Sequence, residues 1–212
     1  MDIISSAIDI FLHLDVHLGS IISDYGVATY ILLFIIIFCE TGLVFTPFLP
    51  GDSLIFAAAS FAALGSLKIF ILIPVVYLAA ILGDASNYSI GRFIGPKLIK
   101  KGKLIKQEHI DKTNKFYEKY GGKTIVIARF VPIVRTFAPF VAGIGEMTYR
   151  KFFSYNIIGA TLWVSIVSLA GFFFSNIPIV KNNFSIVVMA IILLSLLPAV
   201  IELLKQKKDM AK

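Results

Sequence analysis

"CETGLVFTPFLPGDS", residues 39–53, places two carboxylates, two prolines and two glycines inside one of the most apolar stretches of the chain. Val27 to Phe38 precede it without a charge, and "LIFAAASFAALG" (54–65) follows it. Hydrocarbon tolerates neither a buried charge nor an irregular backbone unless protein or a wet cavity surrounds them. The stretch therefore predicts a hairpin that enters the apolar layer, turns at "TPFLPGD", and leaves on the side it came from.

The composition agrees with a membrane setting. Of 212 residues, 58% are hydrophobic and 16% charged, against roughly 45–50% and about 25% in soluble domains. Mean hydropathy is +0.87. Runs near 20 apolar residues match the length that crosses ~30 Å of hydrocarbon. No polar stretch is long enough for a separate soluble domain, so residues 1–204 read as one membrane domain followed by a basic tail, 205–212. The acidic N-terminus lacks the basic n-region of a cleavable signal peptide.

The net charge of +7 is spread unevenly. Residues 1–67 hold no Lys or Arg, whereas nine of the twenty basic residues fall between Lys97 and Lys123. Beside apolar spans, such a cluster marks the cytoplasmic side rather than a nucleic-acid surface. Arg150, Lys151 and the tail lysines (Lys205, Lys207, Lys208, Lys212) belong on the same side. Spans at 67–95, 152–174 and 184–204 then leave 27–64 as a hairpin entering from outside. The stretch 124–147, broken by Pro132, Pro139, Gly143 and Gly145, becomes a hairpin entering from the cytoplasm. Residues 2–24 and 105–120 carry apolar side chains at helical spacing and read as interfacial helices.

The chain thus repeats itself. The expected fold is an all-α integral membrane protein, an inverted repeat of interfacial helix, re-entrant helical hairpin and transmembrane helix, closed by a C-terminal transmembrane helix. Repeat one covers about 1–95, repeat two about 105–174, and the extra span 184–204. "TPFLPG" (46–51) and "APFVAG" (138–143) align at Pro47/Pro139, Phe48/Phe140 and Gly51/Gly143. Inverted repeats with interrupted segments point to a transport site near the midplane.

Each hairpin carries charge of one sign: Glu40 and Asp52 in the first, Arg129 and Arg135 in the second. One unpaired charge at the bilayer centre costs roughly 2.5–3.5 kcal/mol, so four would cost on the order of 10 kcal/mol. Pairing across the hairpins removes much of that. Asp52 follows Pro50–Gly51 at the start of an apolar helix and is either a helix cap or a proton site. Asp84, also within a span, is either functional or bonded to Asn87, Tyr88 or a neighbouring helix. Arg129 is six residues past Lys123 and is either a site residue or one that snorkels to the surface.

Enzyme chemistry finds little support. His13, His17 and His109 all lie in expected interfacial helices, no HExxH-type motif accompanies them, and the single cysteine, Cys39, builds neither a disulfide nor a metal cluster. No metal or cofactor is expected, although a proton gradient could drive transport.

Four motifs together resemble the DedA family, also called the VTT or SNARE-associated Golgi protein family, between about residues 26 and 175. They are "ETGLVFTPFLPGD" (40–52), "GDASNYSIGR" (83–92), "YGGKTIVIARFVPIVRTFAPFVAG" (120–143) and "NIIGATLW" (156–163). The R-F-x-P-x-x-R arrangement is the most specific. Two departures concern subfamily: "AAASFAALG" lacks an expected glycine, and "GFFFSN" lacks a second one. The resemblance implies facing re-entrant hairpins, with Glu40 and Asp52 as membrane acids and Arg129 and Arg135 as arginines. Arg92 and Asn156 stand in the matched motifs. Pro47, Pro50, Gly51, Pro132, Pro139 and Gly143 would supply hinges, and the glycines backbone N–H groups as well.

The implied function is translocation of a lipid with an anionic headgroup across the cell membrane. Undecaprenyl phosphate or a phospholipid is the expected substrate, with no nucleic-acid partner, and with self-association left open. The alternatives are a proton-coupled transporter of a small solute or ion, and a membrane assembly factor without transport.

Overall fold

Val27–Gly42 forms the 16-residue helix α1, which carries no charge before Glu40, and Gly51–Ala63 forms the 13-residue α2. At 1.5 Å per residue they run about 24 and 20 Å, each short of a ~30 Å hydrocarbon layer. The computed structural model describes residues 25–43, 51–95, 107–145 and 147–178, with 180, 186, 187 and 190, and every regular element among them is helical. Pro47 and Pro50, the expected N-terminal helix, the tail and nearly all of the expected span 184–204 lie outside the described residues.

Among the described residues, two helices are long and apolar enough to cross a membrane: α3, Ile69–Phe93, and α7, Tyr149–Phe174. They coincide with the spans expected at 67–95 and 152–174. Pro74 lies inside α3 without ending it. On α7, Ile158, Leu162, Ile166, Leu169 and Phe173 are all exposed, and their spacing puts them on one stripe. An apolar stripe of that length suits lipid better than water.

Between these helices come α4, Gln107–Tyr120, a 3-10 turn at Gly121–Lys123, α5, Thr124–Ala128, and α6, Pro132–Ile144. The break between α5 and α6 has a local cause. A residue before proline is pushed out of the helical region, and Val131, before Pro132, is extended at φ −121° and ψ 105°. Pro132 then opens α6, where its missing N–H has no partner to lose.

The other expected breaks are corrected. Pro139 and Gly143 both lie inside α6, and only Gly145 follows its end. An internal proline removes one hydrogen bond and costs about 3 kcal/mol. Burial of Val134, Phe137, Ala138, Phe140, Val141 and Ala142 along the same helix offsets that cost. The hexapeptide alignment is corrected with it. Gly51 is the first residue of α2, whereas Gly143 sits in the last turn of α6, so the aligned motifs occupy different places in their helices.

The chain divides into two compact units, one from Met1–Leu33, Pro50–Val75 and Ile166–Lys212, the other from Phe34–Leu49 and Val76–Ser165. In the first, small residues of α2 (Ala57, Ala58, Ala59, Ala62) are buried, and Ser60 Oγ donates to the Gly171 carbonyl at 3.0 Å. Close approach of this kind is what small residues allow between membrane helices.

In the second unit α4 lays its apolar side on α6. Ile110 is buried with Phe137, Phe140 and Val141, and Tyr117 packs beside them. Tyr117 Oη donates to the Ala138 carbonyl at 2.9 Å. Burial, and then the charge of Asp84, raise the Tyr117 phenol above its usual range, so the donor keeps its proton. α6 also lies against α3 with backbone touching backbone. A Cβ on Gly91 would stand 2.9 Å from the Phe140 Cα, and one on Gly143 would stand 2.7 Å from the Arg92 nitrogen. Gly143→Ala is therefore expected to push α6 off α3 and lower stability by about 1–3 kcal/mol, the usual cost of overpacking. Thermal unfolding in detergent micelles checks this, and an unchanged midpoint would mean that the two helices do not touch there.

Candidate functional site

The site lies wholly within the second unit and is built from the broken backbone outward. Arg129 caps the end of α5 and Arg135 stands in the first turns of α6, so the two arginines flank the break. Both are buried, at 3% and 8% exposure. Two buried guanidinium groups need partners, and each has a carboxylate.

Arg129 Nη2 donates to Asp84 Oδ2 and to Asn156 Oδ1, both at 2.5 Å. Asp84 comes from α3 and Asn156 from α7, so this cluster joins three helices. Asn156 is itself oriented, because its Nδ2 donates to the Ile81 carbonyl at 3.1 Å. Gly159 makes room for the guanidinium: a Cβ there would stand 3.1 Å from Arg129 Nε. Nε and Nη1 of Arg129 are buried with no hydrogen-bond partner among the described residues.

Arg135 Nη1 lies 3.6 Å from Glu40 Oε1. That distance makes an ion pair but not a hydrogen bond between those two atoms. The Arg135 guanidinium stacks over the Trp163 ring at 4.2 Å, and Arg129 reaches the same ring at 5.9 Å. A cation over indole in a dry site is stabilised by about 2 kcal/mol. The site thus contains two cations, two anions and a shared aromatic face, with no formal net charge.

The remaining expected residues fall into place around it. Asp84, whose alternatives included a bond to Asn87, Tyr88 or a neighbouring helix, pairs with Arg129 at the end of the neighbouring helix α5. Asn87 donates to the Thr41 carbonyl at 3.0 Å and the Thr136 carbonyl at 2.8 Å. Tyr88 donates to the Met147 carbonyl. Asp52 is exposed in the first turn of α2, where a carboxylate complements the helix dipole. Gly51 before it is buried. Arg92 is exposed in the last turn of α3, the end that favours a cation. Pro132 and Pro139 bracket Arg135 along α6. Among the described residues no group of three His, Cys, Asp or Glu side chains could hold a metal.

Trp163 and Gly159 were not singled out for a role from sequence, and Asn87 only as a bonding partner of Asp84. "GATLW" held the only available signal for two of them, a bare glycine one turn before an aromatic residue in a span.

A VTT domain matches residues 49–173. Protein DedA of Escherichia coli (strain K12) is 52% identical over 216 residues, covering all of this chain and 99% of that protein. An uncharacterized membrane protein of Mycobacterium tuberculosis (strain ATCC 25618 / H37Rv) is 44% identical over 181 residues, which is 84% of this chain and 79% of that one. Inner membrane protein YghB of Escherichia coli (strain K12) is 33% identical over 156 residues, 73% of this chain and 71% of that one. No solved structure matches the chain.

Proposed function

We propose, from the premise that this chain belongs to the DedA family of VTT-domain membrane proteins, that it moves a phosphate-bearing lipid across the cell membrane. The observation that carries the reading is Arg129. Its Nη2 is committed to Asp84 and Asn156, while Nε and Nη1 are buried and unused among the described residues. A buried donor without an acceptor is costly, and a phosphate oxygen is a charged acceptor for such a donor; Nε–H and Nη1–H lie on different edges of the guanidinium, so each would take an oxygen separately. The headgroup phosphate would sit at these donors, with Arg135 as the second cation, while the hydrocarbon tail stays in the bilayer. Undecaprenyl phosphate and phospholipids are the substrates that fit this description.

The carboxylates balance the arginines when the site is empty. Protonating Glu40 or Asp84 would free a guanidinium for phosphate, which gives a physical route to proton coupling. Asp52, at the start of α2, is a further proton site in this scheme. The short helices α1 with α2, and α5 with α6, act as two re-entrant hairpins of opposite orientation, and rocking of one repeat against the other exposes the site to each leaflet in turn. The protein is multi-pass with its C-terminus in the cytoplasm, it is a transporter and not an enzyme, and it needs no cofactor.

Arg135→Ala is the first test. Fluorescent polyprenyl phosphate is exchanged between leaflets of proteoliposomes containing wild-type or variant protein of equal monodispersity. The wild type is expected to move the lipid and the variant to fall at least a hundredfold, on the order of 3 kcal/mol of lost charged contact. Full exchange by a folded Arg135→Ala protein would remove the arginine from the mechanism.

A further inference from the structure

We propose that Asn87 is a positioning residue, whose side-chain amide holds the backbone beside Glu40 and the backbone beside Arg135 at a fixed spacing. Its effect on transport rests on the function proposed above; the clamp itself does not.

Asn87 is fully buried on α3. Its Nδ2 donates to the carbonyl of Thr41, next to Glu40, and to the carbonyl of Thr136, next to Arg135. Only a nitrogen with two hydrogens can serve two carbonyls at once; a hydroxyl has one and a carboxylate none. The Thr41 carbonyl is among the last of α1, which have no partner within their own helix. On α6, Pro139 offers no N–H to the Arg135 carbonyl, in the turn that holds Thr136. Both acceptors are therefore on turns where the helix alone is incomplete.

The geometry of the ion pair leaves room for such a device. At 3.6 Å, Arg135 Nη1 and Glu40 Oε1 do not hydrogen-bond each other, so that contact does not fix their spacing. Asn87 fixes it through the adjoining peptide groups. Its own Oδ1 is buried without a hydrogen-bond partner among the described residues. Turning the amide over would satisfy neither carbonyl, so the position uses the side chain for its donors. Any movement that parts the end of α1 from α6 breaks at least one of the two bonds.

Cys39, the single cysteine, precedes Glu40 and is partly buried, so it reports on the end of α1 without any transport assay. Maleimide alkylation of Cys39 is measured in wild type, Asn87→Ala, Asn87→Ser, Asn87→Asp and Tyr88→Phe, each monodisperse in detergent. Asn87→Ala and Asn87→Asp are expected to react on the order of tenfold faster, the ratio for losing two ordinary hydrogen bonds. Asn87→Ser, which keeps one donor, should fall between them and wild type. Tyr88→Phe removes a neighbouring bond to a different segment and should leave the rate unchanged.

An unchanged rate in every Asn87 variant, or an equal rise in Tyr88→Phe, overturns the clamp. The second readout is leaflet exchange of polyprenyl phosphate by Asn87→Ser. Its half-saturating lipid concentration should rise several-fold while the maximal rate stays near wild type, because a displaced Arg135 weakens capture. Accelerated alkylation with unaltered exchange overturns the positioning role. Absence of exchange by the wild type itself refutes the proposed function and leaves the clamp to be judged on Cys39.

Discussion

Arg129→Ala is expected to lose about 3–5 kcal/mol of stability, the cost of leaving a buried carboxylate without its cation, and to abolish lipid exchange. Asp84 is 3% exposed, with its Oδ2 at 2.5 Å from Arg129 Nη2. Removing the guanidinium strands that charge and also leaves Asn156 Oδ1 without its donor. The two effects separate in a double variant. Arg129→Ala with Asp84→Asn removes both charges, so most of the stability should return while exchange stays absent. Thermal unfolding in micelles and exchange in proteoliposomes read the two quantities independently. A single Arg129→Ala protein as stable as wild type would mean that the pair is hydrated.

Trp163→Ala carries the second large effect. The ring is 1% exposed and stacks on Arg135 while reaching Arg129. Truncating a buried tryptophan costs about 3–5 kcal/mol through the cavity alone, and the lost cation contact adds up to roughly 2 kcal/mol. Trp163→Leu fills much of the cavity without a π face, whereas Trp163→Phe keeps a smaller one. Exchange should therefore rank wild type, Phe, Leu, Ala, and unfolding midpoints should rank Phe near Leu. Exchange by Trp163→Leu equal to wild type would reduce the indole to packing.

How far the site could be read from sequence follows from the range of each interaction. Pro132 acts on its immediate neighbour, so the break before α6 was legible. The charges of Arg129, Arg135 and Glu40 were legible because apolar flanks make an unpaired charge expensive wherever the chain folds. Their pairing was less so. Arg129 meets Asp84 across 45 positions, and the sequence offers Asp52 with equal chemistry. Pro139 misled because local propensity is overridden when the helix is buried on both sides of it, from Val134 to Gly143, and it made a chance hexapeptide match look positional. Cation–π contacts at Trp163 depend on two elements coming together and leave no local pattern. Of the fold, the spans at 67–95 and 152–174 were legible from the length of their apolar runs, whereas the expectation of hairpins and their orientation rests on backbone breaks and charge asymmetry.

The most direct measurement compares two lipids that differ only in the phosphate. Wild-type protein and Arg129→Lys are reconstituted, and leaflet exchange of a fluorescent polyprenyl phosphate is followed beside that of the dephosphorylated polyprenol. Arginine's Nε and Nη1 are the groups assigned to the phosphate, and lysine keeps the charge for Asp84 without them. The expected result is rapid exchange of the phosphate lipid alone by the wild type, and its loss in a folded Arg129→Lys protein. Equal movement of both lipids, or unchanged exchange by Arg129→Lys, would contradict a site built to hold phosphate.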